Sequence, residues 1–206
     1  MRISAHTIYP SSRQQSQPKV TLNLALIFLL FAMGGSVWAN PITEAQSGDG
    51  DHGVIASSTG GGHFLVAGFL DVVFSLNAKH KSDGTANGQF RFSVELGGLP
   101  IDFHGEVICL TVDSVNGRAW IGGVVTQNNS EHPGFTDAIH EPGRDVWFRV
   151  LDSGEGNGSD VDRSTFLGFE GSGDIITSEE YCAAAIWPDD NERTSPVIEG
   201  NIQVRP

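Results

Sequence analysis

Gln89-Phe90-Arg91-Phe92-Ser93-Val94-Glu95-Leu96 alternates polar and apolar side chains without a break. Successive side chains on a strand leave opposite faces. Phe90, Phe92, Val94 and Leu96 therefore share one face, and Gln89, Arg91, Ser93 and Glu95 the other. A helix would scatter the same residues around its circumference, so the pattern predicts a half-buried strand. Gly97-Gly98-Leu99-Pro100 then turns the chain, and Asp83-Gly84 and Asn87-Gly88 before it are hairpin signals.

The same period of two extends in both directions. Upstream, Phe64, Val66, Gly68, Leu70, Val72, Phe74 and Leu76 fall in one phase. That run is long for one strand, so a break is expected near Gly68. Downstream, residues 101–112 and 118–126 read as strands joined through Asn116-Gly117. Residues 127–144 read as a polar loop. Residues 145–152 form a strand with Val146, Phe148 and Val150 on one side and Trp147, Arg149 and Leu151 on the other. Residues 165–169 read as a short strand. Thr177-Ser178-Glu179-Glu180 has the form of a capping box for one short helix near residues 178–186, which Trp187-Pro188 ends. Residues 197–204 close the chain as a strand with Ile198, Gly200, Ile202 and Val204 in phase. About seven or eight strands with short turns predict an all-β fold, an antiparallel meander. A barrel is expected ahead of a sandwich, because closure removes exposed edges.

Gly88-Gln89-Phe90-Arg91-Phe92 is followed by Phe103-His104-Gly105-Glu106-Val107-Ile108-Cys109-Leu110-Thr111-Val112 and by Asn116-Gly117-Arg118-Ala119-Trp120-Ile121-Gly122-Gly123-Val124-Val125. Val146-Trp147-Phe148-Arg149-Val150-Leu151-Asp152-Ser153-Gly154-Glu155-Gly156 and Glu199-Gly200-Asn201-Ile202-Gln203-Val204 complete the set. Together these segments resemble a group of exported bacterial proteins of unknown function. The likeness runs over residues 60–206. It implies export and a single all-β domain. It implies no catalytic residue, since that group has none established.

Residues 1–39 read as a secretory signal. Arg2, Arg13 and Lys19, with no acidic residue, precede an apolar run over residues 20–33. Small residues then lead to Val37-Trp38-Ala39, so cleavage is expected between Ala39 and Asn40. The apolar run of about 14 residues includes Thr21 and Asn23, whereas a membrane-spanning helix needs roughly 20 apolar residues. No membrane span is therefore expected after cleavage, and the protein is expected in the periplasm or outside the cell. Residues 40–62 are rich in Gly, Ser and Asp and read as a flexible leader, with one β domain over residues 63–206.

The chain is acidic, with 25 Asp and Glu against 12 Lys and Arg and a net charge of −13. Losing the three cations of the signal would make it −16. That balance repels nucleic acid and anionic lipid. The expected partner is a small ligand or another protein. Cys109 and Cys182, the two cysteines, are expected to form a disulfide in an oxidising compartment.

Three groups of residues could carry chemistry. His104 and Glu106 leave the same face of one strand, with Asp102 beside them. Such a set can bind a metal or move protons. On it rests an alternative reading, an isomerase or hydrolase acting on a small substrate. An exposed polar face or a buried hydrogen-bond network explains the same residues. Asp152, Glu155, Asn157, Asp160 and Asp162 offer oxygen donors among glycines, which suits Ca²⁺, but their spacing is not that of an EF-hand loop. A Ca²⁺-stabilised domain is thus a further alternative, and an ordinary Gly/Asp connection is the plainer one. His132, His140 and Glu141 share the long polar loop, at a spacing that fits no tight metal motif. There is no G-x-S-x-G, H-E-x-x-H or phosphate loop. With no assembled catalytic signature, a non-catalytic binding or structural module is the leading expectation.

Overall fold

The computed structural model describes residues 53–156, 159–171, 175 and 177–206. The expected signal, its expected Ala39–Asn40 junction and residues 40–52 lie outside the described residues. Five long strands run in series: β1 (Val54–Val66), β2 (Leu70–Lys81), β3 (Ala86–Leu96), β4 (Leu99–Asp113) and β5 (Arg118–Asn128). β6 (Asp145–Leu151) and the two short strands β7 (Arg163–Ser164) and β8 (Gly168–Phe169) follow. The helix α1 (Ser178–Ala184) and the closing strand β9 (Ser195–Arg205) complete the order.

Every pairing is antiparallel. β1 to β6 form the meander, β6 pairs with β7, β7 with β9, and β9 returns to β1. The pairings thus close into a ring of eight strands, with β8 as an extra short partner of β6. The inward faces supply the core. Phe64, Phe74, Phe90, Phe92 and Phe148 interlock there with ring centroids 5.0 to 6.4 Å apart. Most of these pairs meet edge to face, the arrangement that ring quadrupoles favour.

β1 overturns the reading of residues 54–62 as a flexible leader. Its glycine run has partners on both sides: Gly60, Gly61 and Gly62 pair with Leu76, Ser75 and Phe74 of β2 and with Ile202, Asn201 and Gly200 of β9. A Cβ on Gly60 would lie 2.4 Å from the Asn201 carbonyl oxygen. Here the glycines allow two backbones to approach, whereas composition alone reads as disorder. Asn87-Gly88 likewise lies inside β3, and the turn is made by Ser82–Thr85 around Asp83-Gly84.

Two bulges reverse the expected alternation. Ile108 is the extra residue between the pairs Val107–Gly123 and Cys109–Gly122. An extra residue flips every later side chain to the other face. Leu110 therefore joins the core, while Cys109 and Thr111 point outward to α1. Ile198 is the extra residue between His63–Glu199 and Phe64–Val197. It is exposed, and Val197 takes the inward place beside Ile202 and Val204.

α1 covers the outer face of β4, β5 and β6. Thr177 caps it, accepting from the Glu180 amide while the Glu180 carboxylate accepts from the Thr177 amide. The Cys109–Cys182 disulfide ties it to β4, and the Thr111 hydroxyl donates to the Cys182 carbonyl at 2.8 Å. Ser178 is fully buried and donates to the Gly123 carbonyl at 2.7 Å. Gly122 leaves the room for this: a Cβ there would sit 2.5 Å from Cys109 Sγ and 2.8 Å from Ser178. Among the described residues no helix is long and apolar enough to cross a membrane.

Candidate functional site

A concavity lies outside the ring, between the outer face of β6, residues 165–168, α1 and the segment that follows it. β6 meets β7 at one end and β8 at the other. Between those contacts Thr165 stays on β6, donating its amide to the Arg149 carbonyl and accepting from the Arg149 amide through its hydroxyl, both at 3.1 Å, and residues 166–167 then leave the edge. The resulting cleft has a volume of about 550 Å³. Its walls include Trp147, Phe166, Leu167, Tyr181, Ile186 and Pro188. Trp147 stacks on Tyr181 with centroids 5.8 Å apart and planes 22° apart. Gly168 permits the Trp147 indole nitrogen to approach β8 closely, since a Cβ there would be 2.4 Å from it. Burial pushes the Tyr181 phenol up to about 12, although the nearby Arg149 guanidinium favours the phenolate.

Arg149 stands at the back of this cleft and is only 8% exposed. Its Nη2 donates to the Glu192 carbonyl at 2.6 Å, and its guanidinium lies 5.3 Å from the Trp187 ring centroid. Its Nε is buried with no hydrogen-bond partner among the described residues. No carboxylate of the described residues forms an ion pair with it. Arg118 also stacks on Trp187, at 5.1 Å, and it has Asp113 beside it. Trp187 is fixed in turn by donating to Asn191 Oδ1 at 2.9 Å. Asp190, Asn191 and Arg193 adopt left-handed backbone angles, with φ of 55°, 54° and 63°. Such angles cost of order 1 kcal/mol or more apiece for non-glycine residues. They hold the segment in the path that brings Trp187 and the Glu192 carbonyl onto Arg149.

The structure puts His104 and Glu106 on the outer face of β4, opposite the fully buried Phe103. His104 Nε2 is 3.4 Å from Asp102, whose carboxylate also takes Arg91 Nε at 2.9 Å. Burial alone would raise the Asp102 carboxyl, but hydrogen bonds from Arg91 and Asn129 and the Arg91 charge bring it below its ordinary value. His104 and Glu106 edge a hollow of about 290 Å³ with Gln89, Thr126 and Gln127. They do not reach the ring interior, which the phenylalanines fill.

The acidic loop acts on the backbone. β9 pairs with β7 only at Ser195 and Pro196, which leaves the amides further along that edge without a strand partner. Asp162 Oδ2 accepts from the Ile202 amide at 2.7 Å and Asp152 Oδ2 from the Val204 amide at 2.8 Å. Asp162 Oδ1 also accepts from the Ser153 amide, at 2.9 Å. Glu155 takes the side-chain amides of Asn201 and Gln203. The carboxylates so extend the sheet where β7 ends. Asp160 is exposed, and Asn157 lies outside the described residues. The described residues contain no group of three His, Cys, Asp or Glu able to hold a metal ion.

The loop over residues 129–144 closes one end of the ring. His140 is buried against Phe103, Phe135 and Phe169 and is paired with Asp137. His132 instead accepts from the Gly134 amide at 3.1 Å, and Glu141 is exposed. The Asn128 side chain donates to the Phe135 and His140 carbonyls, so this loop is held as structure.

No protein-family model, curated protein or solved structure matches the chain. Function therefore rests on the geometry. Sequence reading did not single out Arg149, Trp147, Tyr181 or Trp187. The available signal was on β6: large side chains on both faces require a cover on the outer one, and the capped helix is that cover.

Proposed function

We propose that this chain is an exported, non-catalytic binding domain that takes a small molecule into the cleft between β6 and α1. The observation that carries the reading is the cleft's construction. Its volume of about 550 Å³ falls in the usual range for small-molecule sites. Flat aromatic walls stand on a closed ring of strands, and the disulfide and the Ser178 hydrogen bond hold the cover in place. The described lining has no histidine, cysteine or carboxylate, the groups that most often move protons near neutral pH. The disulfide suits an oxidising compartment, which agrees with export.

A screen of aromatic fragments against the full chain, read by two-dimensional NMR, tests the reading. Hits should move the Trp147, Tyr181 and Leu167 resonances together. Ala184→Trp, which fills the cleft mouth from the exposed end of α1, should abolish those shifts without lowering the melting temperature. Hits that instead cluster at Gln89, His104 and Glu106 refute it.

A further inference from the structure

The geometry points to an organic carboxylate with an aromatic or apolar body as the ligand of this cleft, with Arg149 as its counter-ion. The inference rests on the cleft being the binding site and goes beyond it by fixing the ligand's charge. A guanidinium that is nine-tenths buried is normally paired, because desolvating a charge is unfavourable unless an opposite charge answers it. Arg149 has a carbonyl, an indole face and a phenol as neighbours, and one of its N–H groups has no acceptor. The deficit occurs in a chain whose net charge is −13, where a carboxylate partner would be easy to supply. Arg118 shares the same indole and likewise has a buried Nε without a partner, but Asp113 stands opposite it on the neighbouring strand and feels its charge, whereas no carboxylate of the described residues pairs with Arg149.

The surroundings narrow the class. Arg193 is the one other cation lining the cleft among its described residues, and most of the remaining wall is apolar or aromatic. A phosphate dianion wants several convergent donors, whereas one guanidinium matches a carboxylate. The stacked pair of Trp147 and Tyr181 offers a flat face to the ligand's body. The acidic surface elsewhere repels anions, which favours a ligand that carries one negative charge and gains the rest of its affinity from apolar contact.

The test uses matched pairs on the full chain. 2-Naphthoate and 2-naphthamide differ in charge and hardly in shape, and 1-naphthoate and indole-3-acetate with their amides repeat the comparison. Titrations followed at Trp147, Tyr181 and Leu167 give each dissociation constant. The acids should bind about tenfold more tightly than the amides, the size of one charge-assisted hydrogen bond. Raising the ionic strength should weaken the acids alone. Arg149→Gln should erase the preference and Arg149→Lys should keep part of it. The acid–amide comparison on the unmodified chain needs neither variant to fold. Equal affinity of acid and amide, or binding by amides alone, overturns the carboxylate inference and leaves the cleft as a site. If no fragment of either kind, at millimolar concentration, moves those resonances, the binding reading itself falls.

Discussion

Asp162→Ala removes the carboxylate that completes the ring where β7 stops. The side chain is 9% exposed and accepts two backbone hydrogen bonds, from Ile202 at 2.7 Å and from Ser153 at 2.9 Å. Ile202 is fully buried, so its N–H has no water to turn to. A hydrogen bond to a charged group is worth about 1.5–3 kcal/mol, and a buried donor left alone costs about 1–3 kcal/mol. The Ser153 amide is more accessible and recovers part of its loss from solvent. The expected destabilisation is about 3–5 kcal/mol, or roughly a 10 °C fall in melting temperature for a chain of this size. Asp162→Asn keeps one acceptor oxygen but turns an NH₂ group toward the other amide, and should cost about 2 kcal/mol. Urea unfolding at neutral pH, followed by circular dichroism and tryptophan fluorescence, measures both. The slope should stay constant while the midpoint moves. Asp160→Ala, an exposed neighbour, is the control and should remain within about 0.5 kcal/mol of the parent. A loss below about 1 kcal/mol for Asp162→Ala would refute the argument that this carboxylate replaces a strand.

Replacing Cys109 and Cys182 by serine should lower stability by about 4 kcal/mol, because the bridge closes a loop across 73 positions. Urea midpoints of the oxidised and reduced parent should bracket that variant. Gly105→Ala should cost about 1–3 kcal/mol or more, since its Cβ would lie 2.0 Å from the Phe90 ring. Phe90→Leu in the same chain should recover part of that loss in thermal unfolding. His63 hydrogen-bonds Asp71 at 2.8 Å and stands 3.5 Å from Glu199, which together raise it above 6.5 against the opposing effect of desolvation. Its stabilising contribution should be complete below pH 6.5 and fade as pH rises through the higher folded value. An NMR titration of the ring should show that raised midpoint, and Asp71→Asn should lower it.

The meander was legible because alternation is a local signal. Phe90, Phe92 and Val94 point inward as their period of two requires, and Gly97-Gly98, Asn116-Gly117 and the Thr177 capping box lie where the turn and cap chemistry puts them. The bulges at Ile108 and Ile198 were not legible, because a bulge is defined by the partner strand's register. Without the first bulge Cys109 counts as a core residue, although its outward turn is what lets it reach Cys182. The glycines of β1 misled for a related reason. Gly60 to Gly62 look like a linker until a backbone on each side explains them. The acidic loop read as an ordinary Gly/Asp connection with Ca²⁺ as the alternative, and neither reading foresaw that Asp152 and Asp162 answer β9 amides that only the ring closure leaves open. Arg149 was invisible as a site residue because its solitude is a tertiary property. Sequence places Trp147, Arg149 and Leu151 on one face of β6. It does not reveal which of the chain's many carboxylates fails to arrive there.

A crystal structure of the full chain soaked with 2-naphthoate tests the central claim most directly. The account predicts the carboxylate within hydrogen-bond distance of the Arg149 guanidinium and the naphthyl ring against Trp147 and Tyr181. A ligand seated instead in the hollow beside His104 and Glu106, or Arg149 paired with a carboxylate of the protein itself, would contradict it.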